Sequence, residues 1–125
     1  MNVVDSSGWL EYFADGPNAD LFGGPIGQTS ALVVPVLCLF EVFKCIIRQR
    51  SEGEALTAAA AMQQGQVVDL TADLALAAAR LSAGESLPLA DSIILATARE
   101  YDATLWTQDV DFEGMAGVRY VAKQA

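Results

Sequence analysis

Sixteen carboxylates, two cysteines and no histidine make up the reactive inventory of this 125-residue chain. Without histidine there is no Ser-His-Asp triad, no histidine general base and no His-ligated zinc. A structural zinc site needs about four ligands drawn from Cys and His, and only Cys38 and Cys45 exist. On one helix those two would be separated by roughly 10 Å of rise, too far for a disulfide, so they read as small buried hydrophobes in a reducing compartment. Chemistry must come from the acids. Four of them, Asp5, Glu41, Asp91 and Asp109, stand where a solvated surface charge should not.

Asp5 follows the β-branched run Val3-Val4, and Asp109 follows Leu105-Trp106-Thr107. Both positions read as carboxyl ends of strands, where open parallel sheets gather ligands, above all at the switch point of strand order. If those two strands are neighbours, the two acids converge. Glu41 is the only charge between Asp20 and Lys44. On a helical wheel it lies roughly 60° from Cys38 and 40° from Cys45, at the edge of the buried face, where a carboxylate needs a partner. Asp91 opens an otherwise apolar helix, and the helix dipole favours an anion in that first turn by ~0.3–1 kcal/mol.

Each acid also has an ordinary structural role open to it. Asp5 can cap a helix, although Ser6 and Ser7 can do the same. Asp91 can serve the dipole alone, Glu41 can pair with Lys44 or Arg48, and Asp109 or Asp111 can form an Asx turn. Asp69 is a decoy: it too ends a strand, but it precedes Thr71, which reads as the cap of the next helix. If the four acids converge, the chemistry is narrow. Like charges raise each other's pKa unless a cation holds them, and hard oxygen ligands select Mg2+, with Mn2+ as the alternative. Such an ion activates water and neutralises a phosphoryl oxygen, so phosphodiester hydrolysis can run without a side-chain base.

The elements that must position these acids alternate along the chain. Asn2-Val3-Val4 reads as a strand feeding a helix that carries Trp9, Leu10 and Phe13 and closes at Asp15-Gly16-Pro17. A short helix over Asn18 to Phe22 is expected to be cut off by Gly23-Gly24-Pro25. Leu32-Val33-Val34 suits a strand buried on both faces and ended by Pro35. Helices are then expected over Val36 to Arg50 and Ala55 to Gln64, a strand at Val67-Val68, and a helix from the Thr71 cap through Ser82. Leu89 to Tyr101 reads as an apolar helix, Thr104 to Thr107 as the fourth strand, Asp111 to Met115 as a short helical turn, and Val118 to Val121 as a terminal strand. This alternation predicts one α/β domain with a mainly parallel sheet between helical layers.

Composition agrees with one packed domain, since 53% of the residues are hydrophobic. Met-Asn-Val-Val-Asp has no basic n-region or long apolar stretch, and the longest apolar run, Ala31 to Phe40, is far short of the ~20 residues that cross a bilayer. A soluble cytoplasmic protein with no membrane contact is therefore expected. The formal charge of −9 argues against a nucleic-acid partner held by a basic surface, but not against one held through a metal.

At these residues the sequence resembles the PIN-domain ribonucleases, specifically VapC-type toxins of toxin-antitoxin pairs, over essentially its whole length. Asn2-Val3-Val4-Asp5-Ser6-Ser7 resembles the family's opening strand with its first acid. Leu39-Phe40-Glu41-Val42-Phe43-Lys44 and Leu89-Ala90-Asp91-Ser92-Ile93-Ile94-Leu95-Ala96 resemble the segments with the second and third. Thr107-Gln108-Asp109-Val110-Asp111-Phe112 resembles the Thr-x-Asp-x-Asp-Phe segment with the fourth. Each motif is weak alone; four in order at compatible spacing are fairly specific. The resemblance implies a PIN-like three-layer α/β/α sandwich with four to five strands. It also implies a Mg2+-dependent endoribonuclease, a homodimer, and inhibition by a VapB-type antitoxin that occludes the site. By the same resemblance Asp5, Asp91 and Asp109 are metal ligands and Glu41 completes the catalytic set. Ser7 and Thr107 hydrogen-bond into it, and Asp111 is a fifth candidate.

Lys44 and Arg48 continue the Glu41 edge of its helix at i+3 and i+7, where they could lead an RNA backbone toward the acids or form a solvated edge. The rival reading is a Mg2+-binding phosphoacceptor, receiver-like signalling domain. It calls for an acidic pair after the first strand and a lysine after the last. Here Asp5 is followed by serines, and Lys123 stands beyond the terminal strand.

Overall fold

A computed structural model describes residues 1–125. Its strands are β1 (Asn2–Val4), β2 (Val33–Pro35), β3 (Gln66–Val68), β4 (Thr104–Thr107) and β5 (Val118–Tyr120). Its helices are α1 (Ser6–Phe13), α2 (Ala19–Gly27), α3 (Val36–Gln49), α4 (Glu52–Met62), α5 (Ala72–Glu85) and α6 (Leu89–Glu100), with short 3-10 turns at Thr29–Ala31 and Val110–Phe112.

Every strand pairing is parallel. β1 lies against β4 with Val3 opposite Leu105 and Val4 opposite Trp106, β4 lies against β5, and β2 lies against β3. A bridge between Asn2 and Leu32 joins the two ladders, so the order across the molecule is β3-β2-β1-β4-β5. Successive residues of a strand face opposite sides of a sheet. Val3 and Val4 are both fully buried, as are Val33 and Val34, so both faces are covered and the architecture is three-layered. The helices pack in sequential pairs, α1 on α2, α3 on α4 and α5 on α6, around a core of 22 buried residues.

Several boundaries differ from the sequence expectation. α2 does not stop at Phe22; it runs through Gly23, Gly24 and Pro25 to Gly27. Phe22, Pro25 and Ile26 are buried, and that packing outweighs the poor helix propensity of two glycines and a proline. α4 begins at Glu52 rather than Ala55 because Ser51 caps it, its hydroxyl accepting from the Glu54 amide at 3.1 Å, with Glu52 and Glu54 in the dipole-favoured first turn. α5 continues past Ser82 to Glu85, where Ser86 in the left-handed region ends it. The expected turn over Asp111 to Met115 is instead the 3-10 turn Val110–Phe112, started by the Asp109 side chain and anchored by fully buried Phe112.

Gly8 fixes how closely α1 approaches the sheet. A Cβ there would lie 2.7 Å from Val4 Cγ1 and 2.8 Å from the Phe22 ring, so only glycine lets α1 settle against β1 and α2.

Candidate metal centre

The chain runs outward from β1 through β2 to β3, then returns to lay β4 and β5 on the other side of β1. The β1/β4 boundary is thus the switch point of the sheet, where the carboxyl ends of the strands open a crevice. Asp5 leaves β1 there and Asp109 leaves β4. The Asp5 amide donates to the Trp106 carbonyl at 3.1 Å, which carries the ladder one residue past Val4 and holds Asp5 beside Thr107.

Asp5 is 3% exposed. Its Oδ1 accepts from the Ser7 hydroxyl at 2.7 Å and from the Gly8 amide at 2.9 Å, and its Oδ2 accepts from the Thr107 hydroxyl at 2.7 Å. Burial pushes its carboxyl up to about 6; the three donors pull against that shift, and the charge of Asp109 adds to it. Asp5 is the cap of α1 and part of the acidic site at once.

The Asp109 amide donates to Thr107 Oγ1 at 2.9 Å, and Asp109 Oδ1 accepts from the Asp111 amide at 2.9 Å. The 3-10 turn therefore folds Asp111 back toward the cluster. Asp91 enters from the first turn of α6. Carboxylate oxygens of Asp91, Asp109 and Asp111 lie within 4.8 Å of one another. Partial burial first, then the neighbouring Asp109, Asp111 and Asp5, raise the Asp91 carboxyl to about 7, and no donor favours its charged form. Three acids this close, with one uncompensated by any donor, form an all-oxygen set that suits a hard divalent cation such as Mg2+ or Mn2+.

The placement of the other sequence candidates is mixed. Ser7 and Thr107 both reach Asp5. Asp111 belongs to the triplet, whereas Asp5 stands behind it with its oxygens taken by protein donors. Glu41 is half-buried and is held not by Lys44 or Arg48 but by the Ser6 hydroxyl, which donates to Oε1 at 2.6 Å. The one ion pair is Arg50–Glu54 at 3.8 Å. Asp69 is exposed next to a helix whose first amides Thr71 serves, as the decoy reading has it. Cys38 is fully buried and burial drives its thiol well above the ordinary range, which leaves it unreactive.

Two supports of the site have no clear sequence signal. Ser6 acts across 35 residues. Buried Asn18 donates to Gln108 Oε1 at 3.0 Å and to the Ala122 carbonyl at 3.1 Å, and accepts from Gln124 at 3.0 Å. It thereby ties the start of α2 and the chain after β5 to the residue between Thr107 and Asp109.

The PIN-domain family model matches residues 3–118. The chain belongs to the PIN-domain family. The fold of this PIN domain is similar to that in a toxin-antitoxin complex from Klebsiella pneumoniae, with TM-score 0.80 and 22% identity over 95% of this chain and 96% of that one. It is also similar to VapC20 of Mycobacterium tuberculosis, a sarcin-ricin loop cleaving toxin, with TM-score 0.78 and 20% identity over 95% and 99% of the two chains. DNA-bound VapBC from Salmonella typhimurium has TM-score 0.74 and 14% identity, covering 98% of each chain. No curated protein sequence matches the chain. In this PIN domain the acids thus stand at the switch point of a VapC-like sheet, and no helix is long and apolar enough to cross a membrane.

Proposed function

We propose that this PIN domain is a Mg2+-dependent endoribonuclease toxin of the VapC type, held inactive by a VapB-type antitoxin. The observation that carries the reading is the juxtaposition of the Asp91, Asp109 and Asp111 carboxylates within 4.8 Å at the switch point of a PIN fold. When bound, Mg2+ supplies an activated water and offsets the charge on a phosphoryl oxygen. Asp91 and Asp109 hold the ion, and Asp111 completes the oxygen set. Asp5 contributes negative charge from behind, and through Thr107 it fixes the backbone that presents Asp109. Glu41, held by the Ser6 hydroxyl beside Asp5, would orient water at the ion.

The chain has no histidine, so protons leave through carboxylates and solvent. Relatives of the same fold are described as toxin-antitoxin complexes, which supports an antitoxin as partner. A cleft of about 610 Å³ between α1, α3 and α4 offers a place for it. The receiver-like reading is not favoured, because Asp5 is followed by two serines that serve Asp5 and Glu41.

Cleavage of RNA with added Mg2+ or Mn2+ tests the proposal. Activity is expected to vanish in EDTA and to fall at least a hundredfold in Asp91→Asn, on the order of what loss of a metal-supporting group costs. Activity that survives EDTA, or that persists undiminished in Asp91→Asn, overturns it.

A further inference from the structure

We propose that the exposed face of α3 is a docking strip for single-stranded RNA, with Phe40 as the platform on which one unpaired base stacks and Lys44 and Arg48 as the phosphate contacts. The inference rests on the ribonuclease reading and names the path by which substrate reaches that site.

The buried stripe of α3 is Cys38, Val42 and Ile46. Phe40 lies about 160° around the helix from both Cys38 and Val42 and is 62% exposed, so the core does not use its ring. The Lys44 ammonium stands 5.7 Å from the ring centroid, the cation-over-aromatic arrangement that leaves the other ring face open. Arg48 follows one turn on, about 6 Å further along the axis, so the two cations meet different phosphates of one strand. Phe40, Glu41, Lys44 and Arg48 line one groove of about 530 Å³, and Glu41 accepts from the hydroxyl of Ser6, the residue next to Asp5. The strip therefore ends at the acidic crevice.

Charge selects the occupant. The chain carries sixteen acids and seven bases, yet neither Lys44 nor Arg48 is in an ion pair, and the one ion pair uses Arg50. Two cations left free beside an exposed aromatic ring match a polyanion with stackable bases. A duplex hides its base faces, which leaves a single strand as the fitting form.

Binding of a short fluorescently labelled single-stranded RNA, followed by anisotropy at low salt in EDTA, tests the strip independently of cleavage. Phe40→Ala and Phe40→Leu are each expected to weaken binding on the order of tenfold, and Phe40→Trp to retain it. The double variant Lys44→Gln/Arg48→Gln should lower the slope of log affinity against log salt by about 1.4. With Mg2+ present, Phe40→Ala should raise KM and leave kcat unchanged. Wild-type affinity in Phe40→Leu, an unaltered salt slope in the double variant, or a change in sedimentation mass on Phe40→Ala would each overturn the proposal, the last by assigning the face to a second copy. A wild-type protein that binds the strand through Phe40 yet cuts no RNA refutes the ribonuclease reading and leaves the strip standing.

Discussion

Replacing Asp91 by Asn should stabilise the metal-free protein, and by an amount that depends on pH in a defined direction. The Asp91 carboxyl has an ordinary value near 3.8 and stands at about 7 in the folded chain, raised first by burial and then by Asp109, Asp111 and Asp5. A folded-state value above the unfolded one means that the native protein binds the proton more tightly. The associated stability is fully present below about pH 3.8, is lost as pH rises, and is gone above about pH 7. Each pH unit of such a shift is worth about 1.4 kcal/mol, but solvent reaches half of this side chain and screens the charges, so about 1–2 kcal/mol survives. Asn keeps the shape and cannot ionise. Urea unfolding in EDTA should therefore find Asp91→Asn more stable than wild type by about 1–2 kcal/mol at pH 8, with the advantage shrinking toward zero near pH 4. Saturating Mg2+ should reverse the order at pH 8, since a ligand at a hundredfold excess over its Kd adds about 2.7 kcal/mol to the form that binds it. An advantage of equal size at both pH values would refute the charge argument. Equal stabilisation of both proteins by Mg2+ would refute the metal assignment.

Thr107→Val removes the donor to Asp5 Oδ2 and the acceptor of the Asp109 amide, so the Asp5 carboxyl should titrate above its present value of about 6 and the protein should lose about 1–3 kcal/mol. Carboxyl-detected NMR titration and urea melts check both, with the larger loss expected at pH 8 than at pH 5. Ser6→Ala should cost about 1.5 kcal/mol by loss of a charge-assisted bond, and a double-mutant cycle with Glu41→Gln should return a coupling of similar size; a coupling near zero would mean that the 2.6 Å contact holds nothing. Gly8→Ala should destabilise by about 1–3 kcal/mol by overpacking against Val4 and Phe22. Gly84→Ala, in α5 with nothing within 4 Å of the added methyl, should stabilise by about 0.5–1 kcal/mol. Thermal melts that rank these two glycines the other way would refute the packing account.

Much of the fold is legible because its two central strands, β1 and β2, are buried on both faces. Val3-Val4 and Val33-Val34 are consecutive buried residues and read as short apolar runs in a parallel sheet, and the acids that follow β1 and β4 inherit their place from the pairing of those strands. What was hidden is long-range. Glu41 advertises a need for a partner, and the nearest cations in sequence are Lys44 and Arg48, but the partner is Ser6, 35 residues away. Asn18 and Gln108 are 90 residues apart, and neither carries a pattern that points to the other. α2 runs through Gly23-Gly24-Pro25 because the burial of Phe22 and Ile26, which local propensity does not reveal, pulls the helix through.

Asp5, for which the sequence leaves the roles of cap and catalytic acid both open, caps α1 and supports Asp109 through one connected set of hydrogen bonds. One oxygen of Asp5 takes the Gly8 amide as any N-cap does, and the other takes the Thr107 hydroxyl. That hydroxyl oxygen in turn accepts the Asp109 amide, and the Asp109 carboxylate accepts the Asp111 amide. The hydrogen bonds that close α1 are thus the first links of a chain that aims Asp109 and Asp111 at Asp91. Protein donors compensate Asp5 and Asp109 along the way, and Asp91 at the end of the chain has none. The repulsion is accordingly concentrated on one half-buried carboxylate, and neutralising that single group relieves it as a cation would.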